Sequence, residues 1–526
     1  MKHLYDGSTV GDMIEGVIRR YADRVALQSG DERVTYREMG EHIGRWARVF
    51  RSHGLGPQAG VGILSKNRAE VVYAQMAAVL CGSRYTPLHP LGSFADHLYA
   101  CDDANLRVLC VDPSFAMRGE DLRSRAKSVQ ALLTFGPADA GSDIHALASA
   151  VEVSVLSSGP HGPEDTASIM YTGGTTGVPK GVMLPNRAIV ANAVNVSAFC
   201  DFPGAPRYLV CAPLSHGANM FTLPTLLNGG TLVLQALFDA EDWLRTVEAE
   251  QINLVFMVPS MIYSVLDHPR RDHYDLSSLQ TLIYGGSPMI EARAREALDA
   301  FGPILTQIYG QTESYIATVL LQAEHDTTRA GRLQSCGTEV PGVRVALLDD
   351  NDHEVIRGHP GEICIQGPTL MSGYLNQPAM TADALRGGWH HTGDVGVRGP
   401  DGFLYIVDRK KDMIISGGFN VYPREVEDVL NGHEGVASSA VIGVPDAKWG
   451  EAVTAFVVPR AGTALDANQL TALVREKKGA AYAPKSITIV EALPLTPVGK
   501  PDKKTLRQQA ISALTSPSEL ISSCEQ

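Results

Sequence analysis

Tyr-Thr-Gly-Gly-Thr-Thr-Gly-Val-Pro-Lys-Gly, residues 171–181, is the stretch of this chain that says most about its fold. It directly follows the apolar run Ser168-Ile169-Met170, which is typical of a buried strand. Four glycines let successive backbone amides point at one anion, three threonines add hydroxyl donors, and the lysine adds positive charge. The lysine stands in Pro-Lys-Gly, so the loop is not a Walker A loop. The stretch predicts a phosphate-holding loop at a strand end.

Around this loop, short apolar runs alternate with amphipathic stretches from about residue 25 to residue 370, which indicates α/β layering. Residues 61–64 read as a buried strand and residues 68–80 as the helix that follows. Two more predicted strands, 254–258 and 281–284, end in Pro259-Ser260 and in Gly285-Gly286-Ser287-Pro288. Ligands of open α/β sheets bind just beyond the carboxyl ends of strands, so these loops are expected to line a site.

The length of the chain predicts two domains, because 526 residues exceed what one hydrophobic core usually spans. A change in the pattern of residues near position 400 indicates where they divide. The turn Gly399-Pro400-Asp401-Gly402 is followed by a strand-like run and then by a charged run. Beyond them we expect helices at 424–430 and 467–477 and strands at 436–444, 452–458 and 486–490. The predicted fold is α/β, with a large N-terminal domain of layered α/β subdomains (1–409) and a small mobile α+β C-terminal domain (410–526).

Composition excludes several classes of protein. Apolar residues make up 44% and charged residues 20%, as in a globular enzyme, and the net charge of -13 argues against non-specific nucleic-acid binding. The eight cysteines form no CxxC pair and lie mostly in apolar runs, which predicts buried thiols in a reducing compartment. With no secretory signal and no apolar run long enough for a transmembrane segment, a cytoplasmic location is expected.

A second motif, Ile308-Tyr309-Gly310-Gln311-Thr312-Glu313, follows downstream. Together with the loop it resembles the signatures of the adenylate-forming superfamily, which comprises acyl-CoA synthetases, luciferase-like enzymes and the adenylation domains of nonribosomal peptide synthetases. The resemblance implies that Tyr309 stacks near adenine, that Thr312 touches the α-phosphate and that Glu313 holds Mg²⁺, a role that suits a hard carboxylate oxygen. It also implies ATP contacts from Thr172, Gly173, Gly174, Thr175, Thr176, Gly177, Lys180 and Gly310. Gly173 departs from the family, where serine is common.

Three further segments carry the resemblance toward the C-terminus. His391-Thr392-Gly393-Asp394 and Asp408-Arg409 resemble the ribose-binding motifs, with Asp394 accepting hydrogen bonds from the diol and Arg409 assisting. Lys411 stands at the position of the family's hinge. The loop Pro494 to Lys500 resembles the family's last motif, which implies that Lys500 is the catalytic lysine.

The resemblance also extends to the acyl and thiol sites. Pro213-Leu214-Ser215-His216-Gly217 resembles the motif whose histidine lines the acyl pocket and gates the thiol, so His216 is also a predicted catalytic residue. Gly217 stands where amino-acid-activating relatives have aspartate, which disfavours an amino-acid substrate because a buried ammonium needs a countercharge. Predicted pocket residues are His216, Gly217, Met220 and Gly286; Gly286, Ser287 and Pro288 also face ATP, and Gly417 and Gly418 line the CoA tunnel.

The activity implied is that of an acyl-CoA synthetase, which uses ATP, Mg²⁺ and CoA to convert a carboxylic acid to its acyl adenylate and then to a thioester. One alternative changes the acceptor to a carrier protein's phosphopantetheine arm or to oxygen. Another is a non-catalytic nucleotide-binding protein, against which the joint presence of Lys500, Glu313, Asp394 and Arg409 counts. Fatty, aryl and polycyclic acids all stay open as substrates.

Overall fold

A computed structural model describes residues 9–152, 161–172, 179–410, 412–416, 419–446, 448–496 and 501–515. The helices are α1 (Val10–Arg20), α2 (Tyr36–Ser52), α3 (Ala69–Leu80), α4 (Phe94–Asp103), α5 (Ala116–Arg125), α6 (Ile144–Ser149), α7 (Asn186–Phe199), α8 (Thr222–Leu227), α9 (Ala240–Ala249), α10 (Pro259–Leu266), α11 (Glu291–Phe301), α12 (Pro378–Ala384), α13 (Pro423–Asn431), α14 (Ala467–Lys478) and α15 (Lys503–Thr515). The strands up to residue 320 are β1 (Val25–Ser29), β2 (Glu32–Thr35), β3 (Gly60–Leu64), β4 (Arg84–Leu88), β5 (Leu106–Val111), β6 (Ala131–Thr134), β7 (Ser142–Asp143), β8 (Thr166–Thr172), β9 (Lys180–Pro185), β10 (Arg207–Val210), β11 (Thr231–Leu234), β12 (Leu254–Met257), β13 (Thr281–Gly285), β14 (Leu305–Gln311) and β15 (Tyr315–Leu320). The later strands are β16 (Thr338–Glu339), β17 (Arg344–Leu348), β18 (Gly361–Gln366), β19 (Gly373–Tyr374), β20 (His390–Arg398), β21 (Leu404–Arg409), β22 (Ile414–Ser416), β23 (Phe419–Val421), β24 (Val436–Asp446), β25 (Gly450–Pro459) and β26 (Ser486–Ile489).

Two large sheets form the N-terminal part of the chain. One has the strand order β16-β15-β14-β13-β12-β10-β11-β1-β2, and the other has the order β19-β9-β8-β4-β3-β5-β6-β7. Their central strands are parallel, as in β10, β12, β13 and β14 or in β3, β4 and β5, and antiparallel strands lie at the edges. Because parallel strands end at the same edge, the loops that follow them gather at one edge of each sheet.

The two sheets share one apolar core, and each has helices on its outer face. The shared core contains Trp46, Val72 and Phe135 together with Leu27 and Tyr208 from the strands. A second core joins the first sheet to α9, α10 and α11, and a third joins the second sheet to α4 and α5. The large sheets are therefore covered on both faces, which explains why most residues of their central strands are buried.

The C-terminal part has its own sheet and core. Strands β23, β22, β25 and β24 pair in that order, and β26 adds to β25. Helices α13 and α14 pack on one face through Val426, Leu430 and Leu470, and α15 packs on the other face through Leu506. A four-stranded antiparallel sheet, β17-β18-β20-β21, lies between this part and the large sheets along the chain.

The predicted fold class is confirmed: the chain has a large N-terminal α/β part and a smaller α+β C-terminal part. The helices and strands expected from the sequence agree with α3, α13, α14, β3, β12, β13, β24, β25 and β26. The seven described cysteines are buried and free, as predicted. Among the helices of the described segments, none combines the length and the apolar character that a bilayer crossing requires.

A partly buried ion-pair network connects α3 to its neighbours in the second sheet. Glu70 in α3 accepts two hydrogen bonds from Arg68 (2.7 and 2.8 Å) and lies 3.2 Å from Nε2 of His145 in α6. Arg68 also bonds Asp112, which follows β5, at 3.0 Å. Burial opposes ionisation, but hydrogen bonds from His145 and Arg68 outweigh it and lower the pKa of Glu70 to about 2.

We expect Glu70→Gln to lower the free energy of unfolding by about 3 kcal/mol at neutral pH. A fall in pKa from 4.5 to about 2 on folding corresponds to a stabilisation of about that size. Because the folded-state pKa is depressed, this stability is present above the unfolded pKa, about 4.5, and is lost as pH falls toward 2. Urea unfolding followed by tryptophan fluorescence at pH 7, 5 and 3.5 measures the difference. Glu120→Gln, which breaks an exposed pair, is the control; an equal loss at every pH would contradict the assignment.

Candidate active site

The candidate site lies beyond the carboxyl ends of β12, β13 and β14. Gly286, Ser287 and Pro288 directly follow β13, and Gly286 has a φ of +80°. Tyr309 and Gly310 belong to the end of β14, while Thr312 and Glu313 form the turn into β15. The two predicted loops are therefore neighbours, because β13 and β14 pair in parallel.

Gly310 lies where the pairing of β14 with β15 shifts register. A Cβ atom at Gly310 would lie 1.8 Å from the carbonyl oxygen of Tyr315, whose own φ is +53°. Real atoms do not approach so closely, so any larger residue would force the backbone of this turn apart. Glycine is thus required at this position for Tyr309 and Glu313 to keep their places on either side of it.

The predicted ribose carboxylate, Asp394, is at the centre of a polar cluster. It is only 6% exposed. The Tyr309 hydroxyl donates to its Oδ2 at 3.0 Å, Nε2 of Gln311 donates to the same oxygen at 2.8 Å, and Nε of Arg409 lies 3.3 Å from Oδ1. Burial and the neighbouring Asp394 charge raise the pKa of Tyr309 well above its ordinary value, so its hydroxyl keeps its proton.

The backbone around Asp394 is held by its own strand partners. Asp394 and Arg409 face each other in the antiparallel pair of β20 and β21. Thr392 donates to the carbonyl of Ile363 in β18 at 2.7 Å, and its hydroxyl accepts the N–H of Asp394 at 3.1 Å. The structure thus brings together Tyr309, Asp394 and Arg409, which are far apart in the sequence.

A second cluster connects the phosphate loop with Glu313. Thr172 and Lys180 are paired across β8 and β9, so the two ends of the predicted loop are held together. The ammonium of Lys180 lies 5.1 Å from the centre of the Tyr374 ring, and the Tyr374 hydroxyl donates to Oε1 of Glu313 at 2.9 Å. Burial, together with the Glu313 charge, raises the pKa of Tyr374. The predicted phosphate and metal residues therefore converge on one tyrosine.

The predicted acyl-pocket residues gather around the end of β12. A Cβ at Gly217 would lie 3.2 Å from the ring of Phe256 in β12 and 3.8 Å from the side chain of Met220. A Cβ at Gly286 would lie 3.7 Å from Val258, which follows the same strand. Phe221 stacks on Phe256 with ring centroids 5.0 Å apart. The walls formed here are mainly apolar, as a pocket for an apolar acid requires.

His216 packs edge-on against a second histidine, His89, with ring centroids 4.8 Å apart and planes at 89°. Nδ1 of His89 accepts the N–H of Leu91 at 3.1 Å, so a neutral His89 carries its proton on Nε2. Burial lowers the pKa of His89, which keeps the ring neutral at neutral pH. Nδ1 of His216 lies 3.2 Å from the hydroxyl of Ser215.

One buried amide positions the segment that carries His216. Asn67, just after β3, donates to the carbonyls of Val210 (3.2 Å), Ala212 (2.9 Å) and Gln235 (3.1 Å). Its Oδ1 accepts the N–H of Leu214 at 2.8 Å. A side chain of the second sheet therefore satisfies strand-end groups of the first sheet, which fixes where the loop leading to His216 begins.

Nine predicted residues lie outside the described residues, and their roles stay predictions: Gly173, Gly174, Thr175, Thr176, Gly177, Lys411, Gly417, Gly418 and Lys500. Near Lys500, Leu495 and Pro501 form an antiparallel bridge, and the N–H of Asp502 donates to the carbonyl of Pro494 at 2.7 Å. The ends of the segment that carries the predicted catalytic lysine are thus tied to each other.

Four residues of the candidate site were not predicted from the sequence: Asn67, His89, Gln311 and Tyr374. Gln311 stands inside the quoted motif, and a polar side chain next to a predicted nucleotide contact was a usable signal. Tyr374 follows Gly373 and gave no comparable signal. His89 comes directly after β4 and Asn67 lies three residues beyond the end of β3, in positions where polar residues commonly face a site.

Comparison with known proteins identifies the class that this fold and site define. The family described as AMP-binding enzyme matches residues 14–375, and the AMP-binding enzyme C-terminal domain matches residues 425–500. The chain therefore belongs to the AMP-binding enzyme family, and the resemblance to adenylate-forming enzymes is confirmed.

Individual relatives are similar along nearly their whole length. The chain is 42% identical to the medium/long-chain-fatty-acid–CoA ligase FadD8 of Mycobacterium tuberculosis, over 94% of this chain and 89% of that protein. It is 37% identical to a feruloyl-CoA synthase of an Amycolatopsis species, over 92% of this chain and 95% of that protein. Among solved structures, the amide bond synthetase McbA from Marinactinospora thermotolerans matches with a TM-score of 0.89 and 33% identity, covering 95% of this chain and 100% of McbA.

We expect Asp394→Asn to weaken ATP binding by about ten- to a hundredfold, since hydrogen bonds to a charged group contribute about 1.5–3 kcal/mol. The amide keeps the size of the side chain but removes the charge that Arg409 and the ribose hydroxyls are predicted to contact. Titration calorimetry with MgATP measures the change. Asp383→Asn, at a carboxylate whose side chain is 81% exposed, is the control and should bind as the wild type does. Equal affinities of both variants would contradict the ribose assignment.

Proposed function

We propose that this chain is an ATP-dependent acid–thiol ligase that forms an acyl-CoA thioester through an acyl adenylate. The observation that carries the proposal is the buried Asp394 cluster, with Tyr309 and Arg409 on one carboxylate, in a chain 42% identical to a fatty-acid–CoA ligase over 94% of its length. A buried carboxylate with one cationic neighbour, in the middle of β20, is a suitable acceptor for a nucleotide's ribose diol. We assign residues 1–409 to the large domain and 410–526 to the small domain.

In the first step, an oxygen of the substrate carboxylate attacks the α-phosphorus of ATP and the bond to pyrophosphate breaks. Negative charge grows on the phosphate oxygens, so catalysis consists mainly of electrostatic stabilisation. We assign it to Lys500, Thr312, Lys180 and the loop residues from Thr172 to Gly177. The half-buried Glu313, oriented by Tyr374, offers the hard carboxylate oxygen that Mg²⁺ prefers, and the ion would supply charge for this step.

In the second step, the sulfur of CoA attacks the acyl carbon, AMP leaves and the thiol proton is released. We assign the approach of the thiol to Gly417 and Gly418 and to the gate at His216, after the small domain has turned about Lys411. The second imidazole beside His216 belongs to His89, whose neutral ring leaves this corner without an added positive charge.

The substrate is proposed to be an apolar carboxylic acid, because Phe256 and Met220 pack beside Gly217 and Phe221 stacks on Phe256. Position 217 also has no carboxylate to pair with an ammonium group. Relatives carry names for fatty, feruloyl and indoleacetate substrates, which share a carboxylate on an apolar body.

A second candidate acceptor is an amine. The observation that favours it is the likeness to the amide bond synthetase McbA along almost the entire chain. The acyl adenylate would form in the same way, and an amine nitrogen would replace the thiol sulfur as the nucleophile. The sequence also left a carrier protein open as the acceptor. The names of these relatives give it no support, and we do not propose it.

The proposal is tested by incubating the protein with MgATP, CoA and a pool of fatty, aryl and polycyclic acids, followed by mass spectrometry. We expect new acyl-CoA masses together with AMP. Lys500→Ala should lower adenylate formation by about a hundred- to a thousandfold, because loss of one transition-state contact costs about 2.7–4 kcal/mol. Lys504→Ala, an exposed lysine nearby, is the control. Adenylate that yields amide but no thioester when amines are added would favour the second candidate, and no adenylate from any acid would contradict both.

We expect Lys411→Pro to impair thioester formation from supplied acyl adenylate while leaving pyrophosphate release in the first step within about threefold, because proline fixes φ at the proposed pivot. Lys411→Ala keeps the backbone free and should affect neither step. Single-turnover measurement of each half-reaction separates the two effects. Equal slowing of both steps in the proline variant would show that residue 411 is not the hinge.

A further inference from the structure

Glu362, in β18, is a buried carboxylate that the proposed reaction does not use. Only 7% of it is exposed. Its Oε1 accepts the N–H of Gly393 at 3.0 Å, directly before Asp394. Its Oε2 lies 3.5 Å from Nζ of Lys410 and 3.6 Å from the guanidinium of Arg386. One side chain thus contacts the strand residue before the predicted ribose carboxylate and the residue before the predicted hinge.

The two contacted residues are also joined to each other through the backbone. The N–H of Lys410 donates to the carbonyl of Gly393 at 2.8 Å, next to the paired residues Asp394 and Arg409. Lys410 is further held by Asp350 at 2.6 Å. Glu362, Gly393 and Lys410 therefore each contact the other two.

Glu362 also belongs to a cluster with Cys364 and His391, whose potential ligand atoms lie within 4.8 Å of one another. Nδ1 of His391 lies 3.3 Å from the Cys364 sulfur and 3.4 Å from Oε2 of Glu362. A carboxylate, a thiol and an imidazole together are a donor set for Zn²⁺. Here Lys410 and Arg386 already bring positive charge to Oε2. We interpret the cluster as a hydrogen-bonded support for Glu362.

We propose that Glu362 is a positioning residue that holds the ribose carboxylate Asp394 and Lys410, the residue before the predicted hinge, in one rigid unit. This inference rests on the proposed function, since it assumes that the small domain turns about Lys411. The contact with Gly393 fixes Asp394, and the contact with Lys410 keeps this residue with the large domain. The rotation then starts at residue 411, so that domain motion leaves the ribose site undisturbed.

Three variants separate the two contacts. Glu362→Gln keeps an oxygen that can accept from Gly393 but loses the charge that attracts Lys410, Lys410→Met removes the other partner, and Glu362→Ala removes both contacts. Glu339→Gln is the matched control, because Glu339 pairs at 2.6 Å with Arg398, the last residue of β20. The measurements are the ATP dissociation constant by calorimetry, the single-turnover rate of each half-reaction and the melting temperature.

We expect Glu362→Gln and Lys410→Met each to slow thioester formation from supplied adenylate by about tenfold, with ATP affinity kept within about threefold. The double variant should be no slower than either single one, because coupled residues are not additive. Glu362→Ala should in addition weaken ATP binding by about tenfold. A loss of melting temperature with equal slowing of both half-reactions would mark a merely structural role and overturn the proposal.

Additive effects of the single variants, or slowing by Glu339→Gln as large as by Glu362→Gln, would also overturn it. The calorimetric measurement does not depend on any acid or thiol. If the wild type formed no thioester, the proposed function would fail separately, and unchanged ATP affinity of Glu362→Ala would then contradict the positioning role.

Discussion

The hydrogen bonds of the Asn67 side chain connect the two large sheets, and the relative position of the sheets depends on them. Asn67 satisfies three carbonyls and one N–H at the ends of β10 and β11, although it belongs to the loop after β3 in the other sheet. Strand-end groups that are buried and unpaired cost free energy, so a single amide with both donors and an acceptor selects one arrangement of the sheets. The placement of His216 and of the acyl-pocket residues follows from that arrangement.

The second constraint is electrostatic. Asp394 is a buried carboxyl group, and its burial is tolerated because Arg409, Gln311 and Tyr309 offset the loss of water. Glu362, in the neighbouring strand β18, is likewise a buried carboxyl group beside cationic side chains, those of Lys410 and Arg386. Each carboxylate connects segments that are distant in the chain. These charged groups therefore fix the positions of the site residues as well as contributing to the chemistry.

Prediction from the sequence succeeded where a pattern is local. Residues 61–64 and 281–284, which are mostly apolar, form central parallel strands, and the loop predicted after 281–284 lies at the candidate site. It failed to find Tyr374, because the contact of this tyrosine with Glu313 and Lys180 depends on the short strand β19 pairing with β9, which no local pattern indicates. His89 was missed for a similar reason, since only packing brings it to His216.

By itself, the sequence determined the α/β class, the two-part organisation and the family, because apolar periodicity and ordered motifs depend on residues that are neighbours in the chain. The tertiary structure alone decided which polar groups share a carboxylate. Tyr309 meets Asp394 across 85 residues, and Glu362 meets both Gly393 and Lys410. Such contacts are set by strand order and register, which arise from the packing of whole sheets and are not encoded in any single segment.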